Sequence, residues 1–290
     1  MRTCFSNEDI LLQNYFQKGF YIMFWDVHMH CSFSGDSDSS PESMAEAAIS
    51  KRLRGICFTD HLDYDYPNDP DLFLLNPEKY EQKIYQVQET YSSRLTILHG
   101  IELGLQPHLA GKHEQLLQQY KFDFVIGSSH VVHGMDPYYS SFYEGRSEEA
   151  AYLEYFESIL ENIRAYHNFD VYGHIDYVVR YGPNKNTFYS YKKYSEIIDE
   201  ILKKLILLGK GIELNTAGFK YGLNHPNPCE EILKRYRELG GEILTIGADG
   251  HKPEHVAYDF DKLPQLLDTC GFSYYTIFKN RRPEFISIDS

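Results

Sequence analysis

The stretch DVHMHCSFSGD, residues 26–36, overlaps the apolar run FWDVHMH (24–30) and carries His28, His30 and Asp36. Side chains at i and i+2 on a strand share one face, so this spacing aims two imidazoles at one point. Such a pair holds a metal or decorates a surface, and the rest of the chain decides between the two. The same construction recurs at GICFTDH (55–61), LTILHGIEL (95–103), FDFVIGSSH (122–130), DVYGHIDYV (170–178), GIELNTAG (211–218) and EILTIGADGH (242–251). Each is a short apolar run that ends in polar, chemically capable residues. Runs of this kind, bounded by turn signals, read as buried parallel strands.

Helical patterns fill the intervals at 40–53, 76–93, 147–167, 194–209 and 228–240. Ser40-Pro41-Glu42 is an N-cap followed by proline at the first helical position, and Gly209 and Gly240 suit helix C-termini. Strand alternating with helix predicts an α/β fold with a parallel sheet. No G-x-G-x-x-G follows the first strand. The polar residues sit at the C-terminal end of every strand, which a barrel gathers at one mouth and an open sheet spreads along an edge. The expected architecture is therefore a TIM-like barrel. The tail SYYTIFKNRRPEFISI (273–288) reads as an extended or hairpin segment closing the fold.

The chain has 290 residues, 42% of them apolar, which suffices for one large barrel domain. Its 42 acids against 28 bases give a net charge of −14, which argues against nucleic acid and anionic membrane as partners. The cysteines, Cys4, Cys31, Cys57, Cys229 and Cys270, are scattered and read as reduced thiols of a cytoplasmic protein. Residues 1–22 lack the pattern of a signal peptide, and no stretch reaches the roughly 18 apolar residues of a membrane span. They are expected to be a loosely attached extension, with residues 23–290 forming the single domain.

The strand ends deliver His28, His30 and Asp36; His61 behind Thr59-Asp60; Glu102; His130 behind Ser128-Ser129; His174 and Asp176; Glu213 and Asn215; Asp249 and His251. Imidazole with carboxylate suits Zn, Mn or Fe, and the absence of cysteine argues against a closed structural zinc site. So many donors exceed the needs of one tetrahedral ion, so two or three divalent ions are expected. The remaining histidines (His99, His108, His113, His133, His167, His225 and His255) fall outside this register and read as structural.

The order D-x-H-x-H, T-D-H, G-I-E, S-S-H, G-H-I-D and G-A-D-G-H resembles the PHP (polymerase and histidinol phosphatase) superfamily, from about residue 24 to the end. FTDHLDY, ELNTAG and FKNRRPEFI look most like its histidinol-phosphatase branch. The resemblance implies a distorted (β/α)7 barrel and a trinuclear centre. It assigns His28, His30, Glu102 and Asp249 to one ion, Glu102 as a bridge to a second with His130 and His174, and Asp36, His61 and His251 to a third. Some members have histidine at the place of Asp36; an aspartate is the harder ligand and favours Mn or Fe there. GADGH replaces the commoner GSDAH but keeps both ligands.

The implied activity is hydrolysis of L-histidinol phosphate to L-histidinol and inorganic phosphate, with a metal-bound hydroxide attacking phosphorus in line. No D-x-D-x-T or C-x5-R loop supports a phosphoenzyme. Arg180 either forks onto a phosphate oxygen or makes a surface salt bridge, and the resemblance favours the phosphate. Asp176 is expected to orient His174 or accept a hydrogen bond behind it. Asp63 and Glu213 are candidate partners for the substrate's cationic head. The alternatives are a PHP protein-tyrosine phosphatase, a general or nucleotide phosphoesterase, an amidohydrolase, or a non-catalytic metal-binding barrel. The first partner expected is a small-molecule phosphate ester; the oligomeric state is left open.

Overall fold

The computed structural model describes residues 24–288, so the expected extension over 1–22 lies outside the described residues. The apolar runs form parallel strands: β1 (Trp25–Met29), β2 (Gly55–Phe58), β3 (His61–Leu62), β4 (Thr96–Gly104), β5 (Phe124–Ser128), β6 (Val171–Tyr172), β7 (Gly211–Asn215) and β8 (Leu244–Gly247). They pair in the order β1-β2-β4-β5-β6-β7-β8. β3 also pairs with β4, so β2 and β3 act as one strand broken at Thr59-Asp60. β1 meets β8 where the Asp249 N–H donates to the His28 carbonyl and the His30 N–H to the Gly250 carbonyl, each at 2.9 Å. These contacts bring the sheet round into the expected seven-stave barrel. Every residue of β1, β5 and β7 is buried, as expected for strands covered on both faces.

The helices are α1 (Pro41–Ser50), α2 (Pro77–Tyr91), α3 (Ala110–Gln119), α4 (Glu148–Ala165), α5 (Ser195–Leu207), α6 (Ala217–Lys220), α7 (Glu230–Glu238) and α8 (Leu263–Thr269). Ser40, Asn76 and Ser147 cap α1, α2 and α4 by accepting the backbone N–H three residues on. Gly209 and Gly240 follow α5 and α7 with φ of +67° and +93°. The sequence reading leaves out α3, the short α6 and α8. α3 buries only His113 and Leu116, too little apolar surface to mark a helical face in the sequence.

The tail forms the antiparallel hairpin β9 (Tyr274–Lys279) and β10 (Arg282–Ser287). It lies across the N-terminal end of the barrel, opposite the polar strand ends. The Trp25 N–H donates to the Tyr275 hydroxyl (3.2 Å), Phe278 stacks on Phe124 (5.3 Å between centroids), and Arg281 donates to Asp170 just before β6 (2.6 Å). Among the described residues, no helix is long and apolar enough to cross a membrane.

Candidate metal centre

Glu102, fully buried near the end of β4, lies at the middle of the polar cluster and splits its two oxygens between neighbours. Oε2 stands 3.1 Å from His28 Nε2, 3.5 Å from His30 Nε2 and 3.1 Å from His61 Nδ1. Oε1 stands 3.3 Å from His130 Nε2 and 2.9 Å from His174 Nε2. Asp249 closes the first group, with Oδ1 3.8 Å from His28 Nε2 and 3.4 Å from His30 Nε2. Asp36 reaches in from the loop after β1, its Oδ2 3.0 Å from His251 Nε2 and 3.9 Å from His61 Nε2. All the histidine and carboxylate positions expected as ligands therefore lie in one cluster; His28, His30 and Glu102 bring their donor atoms together, as do Glu102, His130 and His174, whereas His61 and His251 group with His30 rather than with Asp36. The other histidines do not join them: His108 pairs with Asp65, His133 with Glu154 and Glu161, and His99 lies beside Asp123.

The backbone is shaped to allow this approach. A Cβ at Gly247 on β8 would lie 2.3 Å from His28 Cβ and 2.6 Å from Glu213 Oε1, so only glycine lets β8 pass this close. Asp249 adopts φ of +52°, a left-handed conformation that aspartate tolerates better than most residues. Its position two residues beyond β8 turns the carboxylate back toward β1.

Outer groups fix which nitrogen faces inward for three of the imidazoles. His28 Nδ1 donates to Glu213 Oε1 (2.6 Å), and His130 Nδ1 to Asp63 Oδ2 (2.7 Å). His30 Nδ1 donates to the Ser34 hydroxyl (3.1 Å), which itself donates to Asp60 (2.8 Å). Each therefore presents a bare Nε2 to the centre, the form that binds a cation. The Ser128 hydroxyl donates to Glu102 Oε1 at 2.6 Å.

The electrostatics are those of charges crowded together. Burial opposes ionisation of Glu102, yet His28, His130 and His61 hold it well below the usual carboxylate range. Asp249 is lowered against burial by His28 and Arg180. Burial works against the His28 cation, but Glu213, Glu102 and Asp249 raise it well above an ordinary histidine. His30 is driven well down by burial and by His251 and His61. Adjacent imidazoles cannot all carry protons, and a divalent ion resolves the conflict by replacing them.

The donor set fits such ions. Donor separations of 3.1–3.8 Å around His28 and His30 overlap the roughly 3.0–3.5 Å between neighbouring ligands on an ion with bonds of about 2.1 Å. His61 Nδ1 and His251 Nε2 are buried close to carboxylate oxygens yet form no hydrogen bond. Buried polar atoms are normally paired, so these nitrogens point at a shared partner rather than at the oxygens themselves.

Several expectations about neighbouring residues are corrected. Arg180 is not on the surface: it is buried, and its guanidinium donates to Asn227 Oδ1 (2.8 Å), Asp249 Oδ2 (2.8 Å) and Asn215 Oδ1 (3.0 Å). It thereby occupies one oxygen of Asp249 and leaves Oδ1 for the centre. Asp176 does not orient His174. Its carboxylate accepts from Asn227 Nδ2 (2.5 Å), the Cys229 N–H (3.0 Å) and the Tyr189 hydroxyl (3.2 Å), because the chain turns into a 3-10 segment after it. Glu213 has both oxygens occupied, by His28 Nδ1 and by the His174 N–H and Asn215 Nδ2, and is not a partner for a substrate head, whereas Asp63 holds His130 through Oδ2 and keeps Oδ1 without a partner. The sequence reading missed Ser34, Asn227 and Lys220; Lys220 Nζ donates to the Asp249 carbonyl at 3.1 Å.

The PHP domain family matches residues 26–217. A probable histidinol-phosphatase of Clostridium acetobutylicum is 32% identical over 86% of this chain and 94% of its own length. A histidinol-phosphatase of Lactococcus lactis is 31% identical over 89% of this chain and 95% of its own. The crystal structure of histidinol phosphate phosphatase from Lactococcus lactis, complexed with zinc, L-histidinol and phosphate, superposes with a TM-score of 0.85 at 30% identity, covering 91% of this chain and 100% of that one.

Proposed function

The chain belongs to the PHP domain family, and from that premise we propose that it hydrolyses L-histidinol phosphate to L-histidinol and inorganic phosphate. It is a phosphoric monoester hydrolase. The observation that carries the substrate is the likeness to a structure holding zinc, L-histidinol and phosphate over nearly the whole of both chains. The convergence of five imidazoles on Glu102, with Asp249, Asp36 and His251 beside them, supports the chemistry.

His28, His30, Glu102 and Asp249 would hold one ion; Glu102, His130 and His174 a second; Asp36, His61 and His251 a third. Divalent ions there supply acidified water and positive charge for the phosphate oxygens. The protein's own groups do the positioning. Glu213, Asp63 and Ser34 fix the imidazoles, and Ser128 fixes Glu102. Arg180 holds Asp249, and its remaining N–H groups, with Lys220 nearby, are the cations available to a phosphate oxygen. Buried free cysteines, Cys31, Cys57, Cys229 and Cys270, are in keeping with a cytoplasmic enzyme.

Phosphate release from L-histidinol phosphate by the metal-loaded protein tests this reading. Turnover well above that of a phosphotyrosine peptide is expected; silence on L-histidinol phosphate alone would refute it.

A further inference from the structure

Asp26 opens the stretch that carries His28 and His30, yet it stands outside the ligand cluster. It is fully buried, and its carboxylate spans the two ends of one segment. Oδ1 accepts from the Ala248 N–H (3.0 Å) and the His28 N–H (3.4 Å), and Oδ2 from the Ala257 N–H (2.8 Å). Residues 248–257 follow β8 directly and carry Asp249 and His251.

This segment holds no strand or α-helix, only the short 3-10 turn Pro253–His255. Groups from other parts of the chain hold it instead. The Asp249 carbonyl accepts from Lys220 Nζ (3.1 Å), and the Gly250 carbonyl from the His30 N–H (2.9 Å). The His251 carbonyl accepts from the Ser37 (2.8 Å) and Ser39 (3.0 Å) hydroxyls. At the far end Lys51, just past α1, donates to the carbonyls of Glu254 (3.1 Å) and Val256. Asp26 and Glu254 are the carboxylates that act on this ammonium. Asp249 and Ala257 both adopt left-handed φ, +52° and +48°. A β-carbon disfavours that conformation, more for alanine than for aspartate, so the segment left to itself relaxes out of it. Ala257 is where Oδ2 of Asp26 takes hold.

We propose that Asp26 is a positioning residue for the metal centre: with Lys51 on the outer side, it staples both ends of 248–257 and so holds Asp249 and His251 in place. This rests on the metal-centre reading above and deepens it. A carboxylate suits the task because its two oxygens accept only, and both ends of the segment offer N–H groups. The ion of Glu102, His130 and His174 takes no ligand from this segment, so the staple acts on the other ions selectively.

The test compares Asp26→Asn with wild type in the full chain, stripped of metal and then loaded with manganese. Asparagine keeps the shape but turns a donor toward one of the backbone N–H groups. In the stripped protein, hydrogen exchange across 248–257 is expected to be at least about tenfold faster than in wild type, with β4 and β5 unchanged. In competition with a chelator, read by elemental analysis, the ions that draw on Asp249 and His251 are expected to bind about 10–100-fold more weakly. The ion of Glu102, His130 and His174 is expected to stay. Unchanged exchange in the segment, or even loss of all ions, overturns the proposal. Lys51 is exposed, so Lys51→Met leaves the core untouched and carries the test if Asp26→Asn does not fold. It is expected to speed the same exchange and weaken the same ions to a smaller extent; wild-type values for both overturn the proposal. A wild type that holds no divalent ion refutes the metal-centre reading instead, and exchange in the stripped protein still decides the role of Asp26.

Discussion

Glu102 serves both halves of the centre, one oxygen toward His28, His30 and His61, the other toward His130 and His174. Removing it in Glu102→Ala, or removing His28 in His28→Ala, is expected to abolish turnover and bound metal while the circular dichroism of the barrel persists. Elemental analysis of the purified variants checks this. Glu213→Gln keeps the size but weakens the hold on His28 Nδ1. Metal affinity should drop about 10–100-fold, read by competition with a chelator. Asn227→Ala frees Arg180 Nε and leaves Asp176 short of a donor. It should lower stability by about 1–3 kcal/mol in urea titrations. The clustered residues were legible in the sequence because all but Asp36, which lies in the loop after β1, end an apolar run, where position assigns the direction of a side chain. Arg180 and Asp176 were legible as neighbours of the site but not in their partners. Asn227 reaches them from a loop 47 and 51 residues away, and no local spacing encodes that contact.

Among elements, the strands were readable because a buried parallel strand is a nearly continuous apolar run, and the capped helices because Ser40, Asn76 and Ser147 mark their starts. The break between β2 and β3 was not, since it depends on Asp60 turning inward to accept from the Cys31 N–H (2.7 Å) and Ser34. The tail hairpin was foreseen only as a closing segment; its seat on the barrel floor is set by Arg281, Tyr275 and Phe278. Arg281→Ala removes the cation facing the buried Asp170 and should destabilise the fold by about 2 kcal/mol. The kcat should hold, because the hairpin lies at the end opposite the centre.

The tie between α5 and α7 has an acid limit. Hydrogen bonds from Arg235, outweighing burial, hold Asp199 below its ordinary value of 3.8. A carboxylate lowered in the folded state stabilises fully above its unfolded pKa and loses that contribution as pH falls toward the folded one. Asp199→Asn should therefore cost about 1 kcal/mol or less at pH 7, as for a partly exposed pair, with the difference from wild type shrinking as the pH is taken below about 4. Urea midpoints across that range decide it.

At the scale of the whole molecule, the barrel gives each strand end a common mouth while the hairpin seals the other end. The acid excess of the chain, a net −14, does not fall evenly on the centre, where Arg180 and Lys220 stand beside Asp249. The barrel itself could be inferred from where the polar residues fall along the chain.

The central claim is that the cluster around Glu102 is a metal centre that hydrolyses L-histidinol phosphate. Its most direct test is phosphate release from L-histidinol phosphate, beside a phosphotyrosine peptide and p-nitrophenyl phosphate, by protein stripped with a chelator and then reloaded with zinc or manganese. The account predicts no turnover by the stripped protein and restored, preferential turnover of L-histidinol phosphate on reloading. Turnover that survives complete metal removal, or reloaded protein that prefers the phosphotyrosine peptide, would contradict it.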